Sequence, residues 1–526
     1  MPDDTVAEIR QLIDDLAAVP RAATIIVKQG ERHRAADEGI AALVRADAPI
    51  YQRGAELVRV CLTPAKTSDG RTISVPGILS VPLPYLERML ATVAVWQRFD
   101  ARRKAIVTID PPSVVAKQIL AMAGEWPFKP LAGVIVCPTL RPDGSLLDQP
   151  GYDDVTGLVL FQTLALDLPD KPTRDDAEAA MVTLDELLIE FPFEDDASRA
   201  CALSMMITPV ARGALPVAPM HYVVTPEAGT GKSYLADIAS MIATGERCAV
   251  TSAAPNPEET EKRLIGAALA GRPLISLDNC SDLIRGDFLC QLIERPLLEV
   301  RPLGTSNKPR ISNSFCVFAN GNNVAVGDDM VRRAIRCGLD ANMEAPETRC
   351  FVGNPLATVQ ADRARYVAAA LTIVRAYLAA GSPDRRIPLA SFEAWSDRVR
   401  SALIWLGTAD PVSTIERARN ADPIRRDRAA IFSAWGFEIG LDAPYQAAEI
   451  VALAEEQRSY DGSFARPTLR DALLAIAAKR GAAHQIDPRR LGMWLAKNEK
   501  VVAGNAKLMV NRDDARRPRW FLTPLT

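Results

Sequence analysis

The run Val223-Val224-Thr225-Pro226-Glu227-Ala228-Gly229-Thr230-Gly231-Lys232-Ser233 carries the clearest chemistry in the chain. Apolar residues lead into a glycine-bearing turn, and the apolar spacing from Tyr234 to Ala243 predicts a helix that begins at Lys232. Backbone N–H groups in such a turn, aided by the positive end of the helix dipole, suit an anionic phosphate. This is the pattern of a P-loop. Residues Pro226 to Tyr234 would enclose the phosphates of ATP, with Lys232 on the β- and γ-phosphates and the Ser233 hydroxyl on Mg²⁺. Pro226 stands where the motif usually opens with glycine, while Gly231-Lys232-Ser233, nearest the phosphates, is intact.

Further residues in order support the same site. Pro273-Leu274-Ile275-Ser276-Leu277-Asp278 is an apolar run ending in an acid, the form of a Walker B strand, which would place Asp278 beside the metal. Asn279 follows, where many ATPases have glutamate; it cannot take a proton, so the group that activates water is open. Leu298–Arg301 and Pro309–Ser312 read as a hairpin with Lys308 in its basic connection. The run Phe315 to Asn323 is a buried strand ending in amides, from which an asparagine can reach a γ-phosphate and position water. Arg332-Arg333 then offers a guanidinium for a neighbouring subunit's nucleotide.

These groups need strands, helices and a domain to hold them. Leu168–Thr173 reads as a linker ending in an N-cap, followed by helices over 174–191 and Ala197–Val210 that lead to the P-loop strand. Residues 1–50 read as two helices, one carrying Val6, Ile9, Leu12, Ile13 and Leu16. Beyond them, strand-like runs at Glu56–Val60 and Ile78–Val81 and a helix over Tyr85–Trp96 suggest a small mixed α/β region without a catalytic constellation. Asp384–Gln457 reads as helical, and its Arg425-Arg426-Asp427-Arg428 cluster as a solvated face. The tail, with helices over Thr468–Lys479 and Pro488–Lys497 and then a strand-turn-strand, has the helix-helix-wing order of a winged helix, with Arg517 and Arg519 as candidate DNA contacts. The boundaries expected are 1–165, 166–191, 192–360, 361–460 and 461–526.

Composition narrows the class. At 526 residues, 48% hydrophobic and 24% charged, the chain matches globular proteins and has room for several domains. A net charge of −3 excludes nucleic-acid binding through overall basicity but allows a local basic channel. Nine scattered cysteines without a Cys-x-x-Cys pair, and three histidines, argue against a zinc centre and for free thiols in a reducing compartment. No run is long enough to span a bilayer, so a cytoplasmic protein is expected.

Taken in order, Gly-Thr-Gly-Lys-Ser (229–233), Leu-Asp-Asn (277–279), Ala-Asn-Gly-Asn-Asn (319–323), Asp-Met-Val-Arg-Arg (329–333) and the stretch Glu344 to Arg349 resemble the AAA+ core of superfamily 3-like replicative helicases of phages, plasmids and mobile elements. The resemblance covers about 170–420. It implies an α/β fold: a P-loop AAA+ core with a parallel sheet flanked by helices, a small mixed α/β N-terminal domain, a helical region and a C-terminal winged-helix-like domain. It also implies a hexameric, DNA-translocating ATPase using ATP and Mg²⁺. Asn322 would be the sensor that positions water, Arg333 (or Arg332) the arginine finger, Arg349 a nucleotide sensor, and Lys308 a DNA contact in the channel. Relatives of this kind are often joined to a primase; no priming activity is expected here, although a primase remains a possible partner. Two other readings are an ATP-dependent DNA-binding switch or loader and a defence-type ATPase acting through a partner.

Overall fold

The computed structural model describes residues 23–66, 72–253, 257–280, 283–301, 309–459, 462–512 and 518–525. They fall into two compact units. The first comprises the described residues of Met1–Asp282, Gly286–Val324 and Arg333–Thr414; the second those of Leu283–Arg285, Ala325–Arg332 and Ile415–Thr526.

At the centre of the first unit is a five-stranded sheet: β1 (Met220–Thr225), β2 (Val250–Ser252), β3 (Leu274–Asp278), β4 (Cys316–Asn322) and β5 (Ala334–Gly338). Its spatial order is β2-β3-β4-β1-β5, and every neighbouring pair is parallel. Parallel strands are covered on both faces and read as continuous apolar runs rather than alternating ones. β1 is buried at all six positions, and β4 at all but its last residue, Asn322. Helix α1 (Lys232–Thr244) packs along β1 and stops at Gly245, whose φ of +81° allows a left-handed cap; its N–H donates to Met241 O at 2.9 Å. The helix Asp196–Val210 is buried over almost its whole circumference, as expected of a helix enclosed within a core.

The expected N-cap is present, although the α-helix that follows ends at Asp185 rather than at 191. Thr173 and Asp176 form a reciprocal capping box at the start of the helix Arg174–Asp185. Residues 23–165 build smaller sheets and helices around Trp96, whose indole N–H donates to Leu90 O at 3.0 Å. Here the expected helix over Tyr85–Trp96 is corrected. The helix is Leu83–Val93, and Ala94–Asp100 is a strand parallel to Ala23–Val27. Val95 and Trp96 suit a strand, and pairing with a distant segment outweighs the helical spacing. The strand Ala23–Val27 was itself not expected. The candidate helix bearing Val6 to Leu16 lies outside the described residues.

This N-terminal region belongs to the same compact unit as the sheet. Arg53 donates to Ala268 O at 2.8 Å and Leu269 O at 3.1 Å, satisfying carbonyls at the end of the helix Pro257–Leu269. Burial lowers its guanidinium to about 10.

The second unit has a core of Ile431, Phe432 and Trp435 with Leu469, Leu473, Leu491, Leu495, Leu508 and Leu522. Its helices include Pro423–Glu438, Ala447–Ala454, Pro467–Ala477 and Pro488–Lys497, followed by an antiparallel hairpin of Ala506–Asn511 with Arg519–Pro524. The helix-helix-hairpin order is present, and the C-terminal segment of this compact unit starts at Ile415, with Ile431 to Trp435 supplying part of its core. Among the described residues no helix is long and apolar enough to cross a membrane.

His221 is fully buried in β1, with Nε2 2.8 Å from Ser204 Oγ and its ring edge-on to Phe318 and Trp395. Burial pushes its pKa down to about 3. The folded protein therefore holds a neutral imidazole where the unfolded chain binds a proton, so this stability is lost as pH falls below about 6.5. Between pH 7 and pH 5 the loss amounts to about 2 kcal/mol. Paired unfolding curves at the two pH values should show a shallower pH dependence for His221→Gln than for the wild type; equal slopes would contradict this.

Candidate functional site

The P-loop joins β1 to α1 and is stapled by its own side chains. Thr225 and Thr230 hydroxyls both donate to Glu227 O, at 2.6 and 2.7 Å. From the next strand, Asn323 Nδ2 donates to Pro226 O at 3.2 Å. These bonds hold the loop's shape despite Pro226 at its head. Gly229 (φ +79°) and Gly231 (φ +102°) occupy conformations that a side chain would strain. A Cβ on Gly229 would also lie 2.9 Å from the backbone of Glu347. Residues Pro226 to Gly229 are exposed, so the loop opens to solvent at the carboxyl edge of the sheet.

Two further expected site residues, Asp278 and Asn322, meet Lys232 and Ser233. Lys232 Nζ donates to Asn322 Oδ1 at 2.6 Å, and Ser233 Oγ donates to Asp278 Oδ1 at 3.0 Å. Thr225 Oγ1 lies 3.3 Å from the same Asn322 oxygen. Partial burial lowers the Lys232 ammonium below its ordinary value, and the nearby Asp278 carboxylate opposes that shift. The strand order explains the meeting: β4 lies between β3 and β1, so its terminal Asn322 sits between the Walker B acid and the P-loop lysine. A hydroxyl and a carboxylate oxygen form a hard donor pair that fits Mg²⁺, with phosphate oxygens and water completing its shell. Among the described residues no group of three or more His, Cys, Asp and Glu forms a denser metal cage.

Asn279 follows Asp278 with φ +52°, its side chain exposed and its N–H 3.3 Å from Asn320 Oδ1. Asn320 is buried, and its carbonyl also accepts from Cys280 N at 2.9 Å. Asn320 thus fixes the turn after Asp278, a positioning role that the sequence did not separate from that of Asn322.

Beside Gly229–Gly231 lies a cavity of about 300 Å³ walled by Phe191, Tyr234 and Phe351. Glu190 shapes it by accepting from Val352 N and Gly353 N, both at 2.8 Å, and these bonds hold its carboxyl below the usual range. Tyr234 OH donates to Asn354 Oδ1 at 2.9 Å. Arg349 Nη2 donates to Glu190 O at 2.5 Å and its guanidinium lies over Phe351, 5.0 Å from the ring centroid, so it braces this wall. Phe191, Phe351 and Asn354 come from stretches without a motif, and no local pattern marks them as site residues.

The two candidate finger arginines lie in different surroundings. The Arg333 side chain is 7% exposed and paired with Glu294, Nε to Oε2 at 2.5 Å. Glu294 also accepts from Ser391 Oγ at 2.6 Å. Breaking this pair would cost the part-buried Glu294 carboxylate its cationic partner. Arg332 is 46% exposed, with Nε 3.7 Å from Asp329 Oδ1. Of the expected DNA contacts, Arg519 is 3.2 Å from Glu449, while Arg517 and Lys308 lie outside the described residues. The strands flanking Lys308 do form the expected antiparallel pair, Leu297–Glu299 with Arg310–Ser312.

No protein-family model matches this chain, and the comparison with curated proteins finds no match. Among solved structures, the apo C-terminal region of NrS-1 is similar at a TM-score of 0.34 and 12% identity, over 83% of this chain and 98% of that one. A second structure of that region gives 0.33 and 11%, over 84% and 99%. JCV helicase with a bound thiazolopyridine compound gives 0.19 and 11%, over 48% of this chain and 74% of that one. Similarity at this level leaves the functional reading to the residues themselves.

The two arginines should separate cleanly by mutation. Arg333→Ala should lower unfolding free energy by about 2 kcal/mol, because it breaks a part-buried ion pair with Glu294. Arg332→Ala should stay within about 0.5 kcal/mol of the wild type. Denaturant titration reads both, and an unchanged stability for Arg333→Ala would restore it as a candidate finger.

Proposed function

We infer that this protein is an ATP-hydrolysing motor of the AAA+ type that moves on DNA, most simply as the helicase of a replicating mobile element. The observation that carries this reading is the convergence of Lys232, Ser233, Asp278 and Asn322 at one edge of the sheet, through the contacts Lys232–Asn322 and Ser233–Asp278. ATP fits this site with its phosphates in the P-loop and its base in the cavity walled by Phe191, Tyr234 and Phe351. Lys232 then exchanges Asn322 for a phosphate oxygen, and the released Asn322 amide faces the γ-phosphate and its attacking water. Bound Mg²⁺ would neutralise developing charge on the phosphates. Ser233 and Asp278 are the residues that would hold it.

The proposed assembly is a ring, with a hexamer as the expected form, in which ATP binds between subunits. Arg332 is the better-placed finger because Arg333 is consumed by Glu294. The Lys308 hairpin supplies the contact that hydrolysis moves along the DNA backbone, and such phosphate contacts are indifferent to base sequence. A second reading has one observation in its favour. Asn279, in place of an acid, leaves Asp278 without a neighbouring proton acceptor on the strand end, which suits a slow ATP-dependent DNA-binding switch or loader.

ATP hydrolysis measured with and without single-stranded DNA, with assembly mass read on the same sample, tests the choice. The motor reading predicts hydrolysis stimulated several-fold by DNA in a ring-sized assembly, and its loss in Lys232→Ala. A monomer that binds ATP but ignores DNA would contradict it.

A further inference from the structure

The cluster Arg425-Arg426-Asp427-Arg428 is not simply a solvated face. In the second unit the helix Thr414–Ala421 ends at Asp422, a fully buried residue whose Oδ1 caps the next helix by accepting from Ile424 N at 2.9 Å. This tight junction sets Arg419, from the first helix, beside Arg425, Arg426 and Arg428 from the second, around a cavity of about 280 Å³. The opposite wall is the turn Val501–Gly504. Gly504 (φ +52°) brings that turn so close to the helix Pro423–Glu438 that a Cβ would lie 3.0 Å from Ser433 Oγ. Arg428 is oriented by Asn498, Nε to Oδ1 at 2.5 Å.

Four guanidiniums line this cavity against one carboxylate, Glu416, which contacts Arg419 at 3.0 Å. Arg425 and Arg426 are exposed and, among the described residues, make no ion pair or side-chain hydrogen bond. Like charges held together repel unless an anion joins them, and planar guanidinium forks match phosphate oxygens. We propose that this arginine pocket binds backbone phosphate of a nucleic-acid strand.

The lining favours a strand over a free nucleotide. No aromatic side chain lines the pocket to hold a base, whereas the cavity beside the P-loop has three. Among the described residues, the hairpin arginines of the same unit are engaged by acids, Arg519 with Glu449 and Arg512 with Glu499. The pocket, by contrast, gathers four cationic groups against one carboxylate. The proposal rests on the nucleic-acid part of the reading above and assigns it residues that the P-loop chemistry does not involve.

The test uses the full chain, a fluorescently labelled oligothymidylate and anisotropy across a salt series. The double variant Arg425→Ala/Arg426→Ala should bind about tenfold more weakly at low salt. Its log–log salt slope should be shallower by about 1.4, corresponding to two lost phosphate contacts on a single strand. Lysine at both positions should restore most of the slope, Glu416→Gln should tighten binding, and ATP hydrolysis without DNA should be unchanged. If the wild type binds strand and the double variant binds it equally, the pocket assignment falls while the motor reading stands. If the wild type binds neither single-stranded nor duplex DNA, the motor reading falls, and the strand assignment with it. Tripolyphosphate that binds the pocket and is not displaced by strand would identify free polyphosphate as the ligand and overturn the strand assignment.

Discussion

The site depends on one packing constraint: β4 must lie between the P-loop strand and the Walker B strand. β4 pairs in parallel with both, Thr225 standing opposite Asn322 on one side and Leu277 opposite Ala319 on the other. Because side chains alternate along a strand, a slip of one residue would turn Asn322 away from Lys232. With β4 buried on both faces, its apolar residues do not set that register alone, and the amides must help. Asn320 reinforces the register by binding the turn after Asp278, and Asn323 does so by binding Pro226. The amides at the end of one buried strand thus connect three loops that would otherwise be independent.

Cations serve the same architecture from the other end of its helices. α1 presents its amino end to the P-loop, and Arg363 sits at its carboxyl end, donating to Ile242 O at 2.9 Å and Ala243 O at 2.7 Å. Arg53 treats the helix Pro257–Leu269 in the same way. Arg212 is buried against Phe315 O and the Asn313 side chain, each at 3.0 Å, just before β4 begins. In each case a guanidinium satisfies carbonyls that burial would otherwise leave unpaired, which is costly in a low-dielectric interior. Two of these arginines also tie the N-terminal region to the core: Arg53 belongs to it, and Arg363 reaches Val136 O at 3.2 Å. The mixed α/β region is therefore built into the same compact unit as the parallel sheet.

What the sequence revealed follows from the range of the forces involved. The P-loop, β3, β4 and the Thr173 cap were legible because each is local: an apolar run, a turn residue, a capping pair. Ala94–Trp96, the start of the strand Ala94–Asp100, reads as the end of a helix because only the distant partner Ala23–Val27 decides its state. The wall of Phe191, Phe351 and Asn354 was illegible for the same reason, since three separate stretches meet only in the folded chain. Arg332 and Arg333 show the limit most sharply. As adjacent residues they are chemically equivalent in sequence, and only the position of Glu294 distinguishes the buried arginine from the exposed one.

The central claim is that Lys232 is held by Asn322 until a nucleotide phosphate replaces that contact. A structure of the protein with Mg²⁺ and a non-hydrolysable ATP analogue tests this directly. The account predicts the Lys232 ammonium on the phosphates, Mg²⁺ on Ser233 with Asp278 adjacent, Asn322 turned to the γ-phosphate, and the base between Phe191 and Phe351. A nucleotide bound elsewhere, or a Lys232–Asn322 bond that persists with the analogue in the P-loop, would contradict it.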